Sequence, residues 1–333
     1  MSSTITNQSN RSHAFAIGMA TFACVSMVLT ALLPMGMSVA IVLLFAGPHN
    51  YVEARYFLTR LPARMGKLKN FFLFSAAGIV TLTTALPLLI RMPVWAGWSP
   101  ETVLWTVGAW NTGLILWGTI LVSMRAQQPP RRAWDYAWPT GLALIGVSWL
   151  QPLVLPLVLV YLHPLIGFWV LDREIAQRRR EWQRGFRAFL LLLPALVLLL
   201  WQIAADPFGS DAFSEGIRQQ IRQHAGTGWF SATMGRRMIT THAFLELLHY
   251  GVWIVAVPLA SGRVFFSAFD QIPLMRSSSL LTRSIRIGLM LSAGIVVLLW
   301  LAFAADYSTT RDIYFMVATL HVLAEVPFLL RLL

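Results

Sequence analysis

Residues 36–58 read GMSVAIVLLFAGPHNYVEARYFL. At about 1.5 Å per helical residue the segment is long enough to cross the roughly 30 Å hydrocarbon core of a bilayer. It nevertheless carries His49 and Glu53 in its interior, four residues apart and so on one helix face. An apolar crossing segment that keeps an imidazole and a carboxylate must turn them toward protein rather than lipid.

Apolar runs of similar kind recur at 14–34, 70–90, 101–124, 138–150, 152–172, 189–205, 239–260, 287–305 and 313–332. Charged residues make up only 12% of the chain, against roughly 25% in soluble domains, and the mean hydropathy is +0.64. The expected fold is therefore all-α: a polytopic integral membrane helix bundle of about 8–10 spans, forming a single integral membrane domain over 1–333. The run 14–34 is too long for a signal-peptide core and reads as the first span.

The net charge of +12 does not point to nucleic acid, because the excess falls in loops between the spans. With the N-terminus in the cytoplasm, 19 of the 26 lysines and arginines lie on the inner side. Six (Arg91, Arg218, Arg222, Arg236, Arg237 and Arg311) lie outside, and Arg55 falls within a span. Both termini are thus expected to be cytoplasmic, in a bacterial inner (cytoplasmic) membrane. The single cysteine, Cys24, excludes an intramolecular disulfide and a thiolate metal cluster.

Residues 138–172 must leave the basic side and return to it. As helix they reach about 52 Å, short of the roughly 60 Å that two crossings need. Pro152, Pro156 and Pro164 interrupt them and Gln151 falls at the tip, so a broken or re-entrant hairpin is expected. The loop 206–238, with Asp206, Asp211, Glu215, Arg218 and Arg222, places Phe213, Ile217 and Ile221 at helical spacing. That pattern predicts a short amphipathic helix on the membrane surface, the alternative being a polar connector. The arginine-rich loop 173–187 is a topology signal beside anionic lipid.

Five histidines fall within the spans: His49, His163, His242, His249 and His321. The carboxylates expected there are Glu53, Glu246 and Glu325, each closing an H-x-x-x-E with His49, His242 and His321. Seven histidines and seven glutamates in 333 residues leave about 0.15 such pairs to chance, and three occur, so the spacing calls for a functional reading. His242 and His249 are about 10 Å apart along their helix, too far to bind one ion together. Each buried ionisable group costs roughly 2.5–3.5 kcal/mol on insertion scales, which favours a set converging across the bundle.

Imidazole and carboxylate from several helices suit a first-row metal, iron first, with zinc or copper as alternatives. His49, His163, His249 and His321 are the expected ligands. Glu53, Glu246 and Glu325 are ligands or partners to a ligand's second ring nitrogen, and His242 is an outer or second-ion group. Pro48 would deprive the Leu44 carbonyl of its helical partner, and His163-Pro164 repeats the pattern, so both histidines are expected at helix breaks. Taken singly, each histidine is also explained as an interhelical hydrogen-bonding group. Asn111, polar at mid-span, serves either a helix contact or the site.

A membrane-embedded non-haem iron oxygenase acting on a lipophilic isoprenoid or acyl-chain substrate, drawn from the membrane lipid phase and served by a redox partner, fits these residues. The segments Gly47-Pro48-His49 and His163-Pro164-Leu165-Ile166-Gly167, with His249 and His321 on later spans, resemble the Brp/Blh family of membrane carotene-cleaving dioxygenases. That resemblance implies an all-helical membrane fold, histidine-bound iron and a carotenoid substrate. The close H-x-x-x-H pair of that family has no counterpart, and neither do the histidine boxes of membrane desaturases. Two other classes answer to the same residues: a haem- or chlorin-binding redox or pigment subunit, and a proton-coupled transporter using the His/Glu pairs.

Overall fold

The computed structural model describes residues 2–62, 65–129, 131–204, 213–262 and 279–332. Among them the backbone is helical almost throughout and contains no strand. The helices are α1 (Ser2–Leu32), α2 (Pro34–Arg60), α3 (Lys69–Leu86), α4 (Pro100–Ala126), α5 (Ala137–Leu150) and α6 (Val154–Arg178). There follow α7 (Gln183–Ile203), α8 (Glu215–His224), α9 (Ala232–Gly251), α10 (Val257–Ser261), α11 (Ser279–Ala305) and α12 (Tyr307–Leu332). Nine described helical segments are long and apolar enough to cross a membrane, and α5 supplies a tenth, shorter apolar helix. Each falls on one of the expected spans. The protein is an all-α polytopic membrane protein.

Local chemistry sets the ends. Ser99 accepts from the Thr102 amide at 3.2 Å and starts α4 with Pro100 in the first turn. Ser214 and Ser231 cap α8 and α9 in the same way. After Gly251 the backbone of α9 widens into a π turn, Val252–Ala256, closed by the Val257 amide on the Val252 carbonyl. Pro258 follows directly and has no N–H with which to continue the α pattern.

Two expectations about breaks need correction. The helix α2 runs unbroken through Pro48, and α6 runs unbroken through Pro164. The carbonyl of Leu44, which Pro48 cannot serve, faces the Trp300 indole N–H at 3.4 Å, so a side chain from α11 takes the place of the missing amide. The hairpin is also asymmetric: α5 has 14 residues, but α6 has 25 and continues to Arg178. The charged residues Arg173 and Glu174, read as loop, lie in its last turns. At the tip, Asn111 Nδ2 donates to the Pro152 carbonyl at 2.7 Å, a contact between α4 and the turn of the hairpin.

The helix expected around 215 is present, but its apolar face packs on protein. Ile217 and Ile221 lie against Met35, Val39 and Ile239, so α8 covers α2 and α9. Asp206 and Asp211 lie outside the described residues.

The helices form two compact units. The first holds α1, α2 up to Thr59, α6 from Val160, α7 to α10, and α11 from Arg283. In it α1 runs along α7 and α9. The second holds α3, α4, α5, the start of α6, and α12 from Thr309. Its core comprises Phe71, Leu82, Trp110, Leu114, Trp117, Leu121, Leu323 and Leu330. Indole nitrogens bind carbonyls there, Trp110 to Leu82 at 2.9 Å and Trp117 to Phe74 at 3.4 Å. At Gly78 any Cβ would overlap the Trp117 ring, so only glycine lets α3 and α4 approach this closely.

Candidate metal centre

The first unit gathers imidazoles from three helices. His49 comes from α2, His163 from α6 and His249 from α9, although up to 200 residues separate them. His49 Nε2 lies 3.1 Å from Glu53 Oε2 and 3.2 Å from His249 Nε2. One ligand atom from each of His49, Glu53 and His249 falls within 4.8 Å of the other two, and all three residues are buried. The half-buried His163 stacks against His249 with ring centroids 4.5 Å apart, and offers a nitrogen within 4.8 Å of each of the other two imidazoles.

These spacings have a chemical meaning. Ligand atoms held about 2.0–2.2 Å from one first-row ion stand about 2.8–3.6 Å apart as neighbours in octahedral or tetrahedral geometry. The two measured separations fall in that range. The nitrogen His249 turns away from the cluster is already committed: Nδ1 lies 3.3 Å from the Pro164 carbonyl, which can only accept. Nδ1 therefore carries the proton, and Nε2 presents its lone pair to His49. A backbone carbonyl fixing the tautomer of an imidazole is the usual support of a metal-bound histidine.

Packing holds the rings in place. Gly167, on α6 one turn beyond His163, packs against His249 and the start of the π turn of α9. A Cβ there would meet His249 Nδ1 at 3.1 Å and Trp253 Nε1 at 3.3 Å. The Tyr250 ring lies 4.5 Å from that of His49. The backbone widens into a π turn directly after His249 and Tyr250, and such turns within α-helices occur frequently at functional sites.

The remaining expected site residues lie on α9 and α12. Glu246 accepts from the Tyr250 hydroxyl at 3.0 Å and has His242 Nδ1 3.7 Å away, so these three form a neighbouring buried stripe along α9. His321 and Glu325 lie one turn apart on α12, in the second unit, with Glu325 buried.

Three residues escaped the sequence reading. His224, set aside as a loop residue, ends α8 and stands edge-on to His242 with centroids 4.8 Å apart. Tyr161 supports that junction, its hydroxyl 3.0 Å and 3.1 Å from the Ala225 and Met238 carbonyls. Glu174 is a fourth buried carboxylate. It accepts from Tyr56 of α2 at 3.1 Å and Ser261 of α10 at 2.9 Å, and pairs with Arg178. It thereby ties together the elements that carry or follow His49, His163 and His249. The four-residue spacing of Glu174 and Arg178 was the one available signal.

Comparison with protein-family models, with curated protein sequences and with solved structures returned no match. The fold and the cluster alone define the class: a polytopic all-α membrane protein with a buried His/Glu group able to hold a metal ion.

Proposed function

We propose that the protein is a membrane-embedded metalloenzyme, a non-haem iron oxygenase acting on a lipophilic substrate of the isoprenoid or acyl-chain kind. The observation that carries this reading is the convergence of His49, His249 and Glu53 within 3.2 Å of one shared nitrogen. Two histidines and one carboxylate with positions left open suit iron(II) in oxygenases, and His163 adds a further imidazole beside them.

In this reading His49, His249 and Glu53 hold the ion, with His163 as an additional ligand. The bound iron would supply the redox chemistry toward oxygen, with electrons from a redox partner. The chain does the rest. Pro164 and Gly167 set the orientation and tautomer of His249, while Trp253 and Tyr250 wall the imidazoles off from water. An apolar bundle admits its substrate laterally from membrane lipid. The asymmetry of Lys and Arg supports cytoplasmic termini in a bacterial inner membrane.

A haem between His49 and His249 is disfavoured. Axial nitrogens on opposite faces of a porphyrin stand roughly 4 Å apart, about twice an iron–nitrogen bond, and here the two Nε2 atoms are 3.2 Å apart beside a carboxylate. The test is anaerobic iron(II) titration of metal-stripped protein in mild detergent. Saturation at one ion per chain, lost in His49→Ala, supports the reading. Equal binding by both proteins contradicts it.

A further inference from the structure

On the other side of α6 the first unit holds an apolar groove of about 760 Å³ between α6, α7 and α9. Phe168, Trp169, Leu190, Val197 and Leu245 form its walls. The hydroxyl of Thr241, which also borders it, is taken up by the Trp201 indole at 2.8 Å. At about 100° per residue, Phe168, Trp169 and Asp172 stand between about 140° and 240° around α6 from His163. On α6, therefore, the groove lies on a different face from His163.

Its charge is confined to one end. There Arg187 binds Asp172 through Nε–Oδ1 at 3.1 Å and Nη2–Oδ2 at 3.2 Å, with the arginine largely exposed. The Arg173 guanidinium lies 5.4 Å over the Trp169 ring, and the exposed Arg184 precedes Arg187 by one turn. Between 172 and 187 six arginines face three acids, of which Glu174 is buried on another side. From Arg187 to Leu198 along α7 the groove runs about 16 Å, close to the depth of one leaflet, half of the roughly 30 Å core.

We propose that this groove binds one acyl chain of an anionic glycerophospholipid, its phosphate held by Arg173, Arg184 and Arg187 in the leaflet on the arginine-rich side. An apolar channel of leaflet depth ending under a net positive rim matches that ligand in both shape and charge. A zwitterionic lipid would supply the chain but gain little from the rim. The site is independent of the metal centre and stands whether or not the protein is an oxygenase.

The test is tryptophan quenching by dibrominated phosphatidylglycerol or dibrominated phosphatidylcholine in mixed micelles. The contribution of Trp169 is isolated by subtracting Trp169→Phe, since the chain has 14 tryptophans. Trp169 should be half-quenched at a several-fold lower fraction of the anionic lipid. The double variant Arg173→Gln/Arg184→Gln, at exposed positions that leave the fold intact, should raise that fraction to the zwitterionic value. Equal quenching by the two lipids, no quenching by either, or an anionic preference that survives the double variant would each overturn the proposal.

Discussion

His249 Nε2 faces His49 Nε2 at 3.2 Å, while the opposite nitrogen of His249 is spoken for by the Pro164 carbonyl. Two imidazole nitrogens this close must share a proton or a cation. Because Nδ1 carries the hydrogen of His249, its Nε2 can only accept, and Glu53 adds a second acceptor beside His49. A site richer in lone pairs than in hydrogens favours a cation. His49→Ala and His249→Ala should each lower metal affinity by more than the roughly 10–100-fold typical of losing an outer-shell partner, with helical content unchanged by circular dichroism.

His242 and Glu246 should behave otherwise. Glu246 is engaged by Tyr250, and His242 stands against His224 at the far end of the stripe. His242→Ala and Glu246→Gln are expected to retain the stoichiometric metal that His49→Ala loses, as read by elemental analysis of the purified variants.

Gly167 predicts a graded effect. A single methyl must displace the imidazole of His249 or the indole of Trp253 by a few tenths of an ångström. Gly167→Ala should cost about 1–3 kcal/mol of stability by overpacking, measured by thermal unfolding, and should weaken metal binding. Gly167→Val should abolish binding.

The contact between Trp300 and Leu44 is conditional on proline. Trp300→Phe should cost about 0.5–1.5 kcal/mol when Pro48 is present, because the Leu44 carbonyl then has no substitute amide. In the Pro48→Ala background the backbone at that position regains its own N–H, and the same change should cost little. A double-mutant cycle by thermal unfolding gives the coupling.

Tyr56→Phe should cost about 1.5–3 kcal/mol, since the hydroxyl binds a buried carboxylate at 3.1 Å. The loss should exceed that of Thr84→Val, whose exposed hydroxyl binds only its own helix. Unfolding midpoints of the two variants compare them directly.

The spans were legible in the sequence because apolar length alone defines them, as in 36–58 and 189–205. The end of α6 was not, since Arg173 and Glu174 look like loop until Tyr56 and Ser261 are found binding the Glu174 carboxylate. Pro48 read as a break for the same reason: the donor that replaces its amide comes from Trp300, far along the chain. In the site, His49 and Glu53 could be paired by spacing, as could His242 and Glu246. Which pair meets His163 and His249 depends on how the helices pack, and spacing says nothing of that. His224 was invisible because its role depends on α8 folding back over α2 and α9.

Whether His49, His249 and Glu53 bind a metal ion is tested most directly by elemental analysis with an absorption spectrum, on protein purified in mild detergent. About one iron per chain and no Soret band are expected. Protein that carries no first-row metal and takes up none when offered iron(II), or that shows a Soret band, would contradict the assignment.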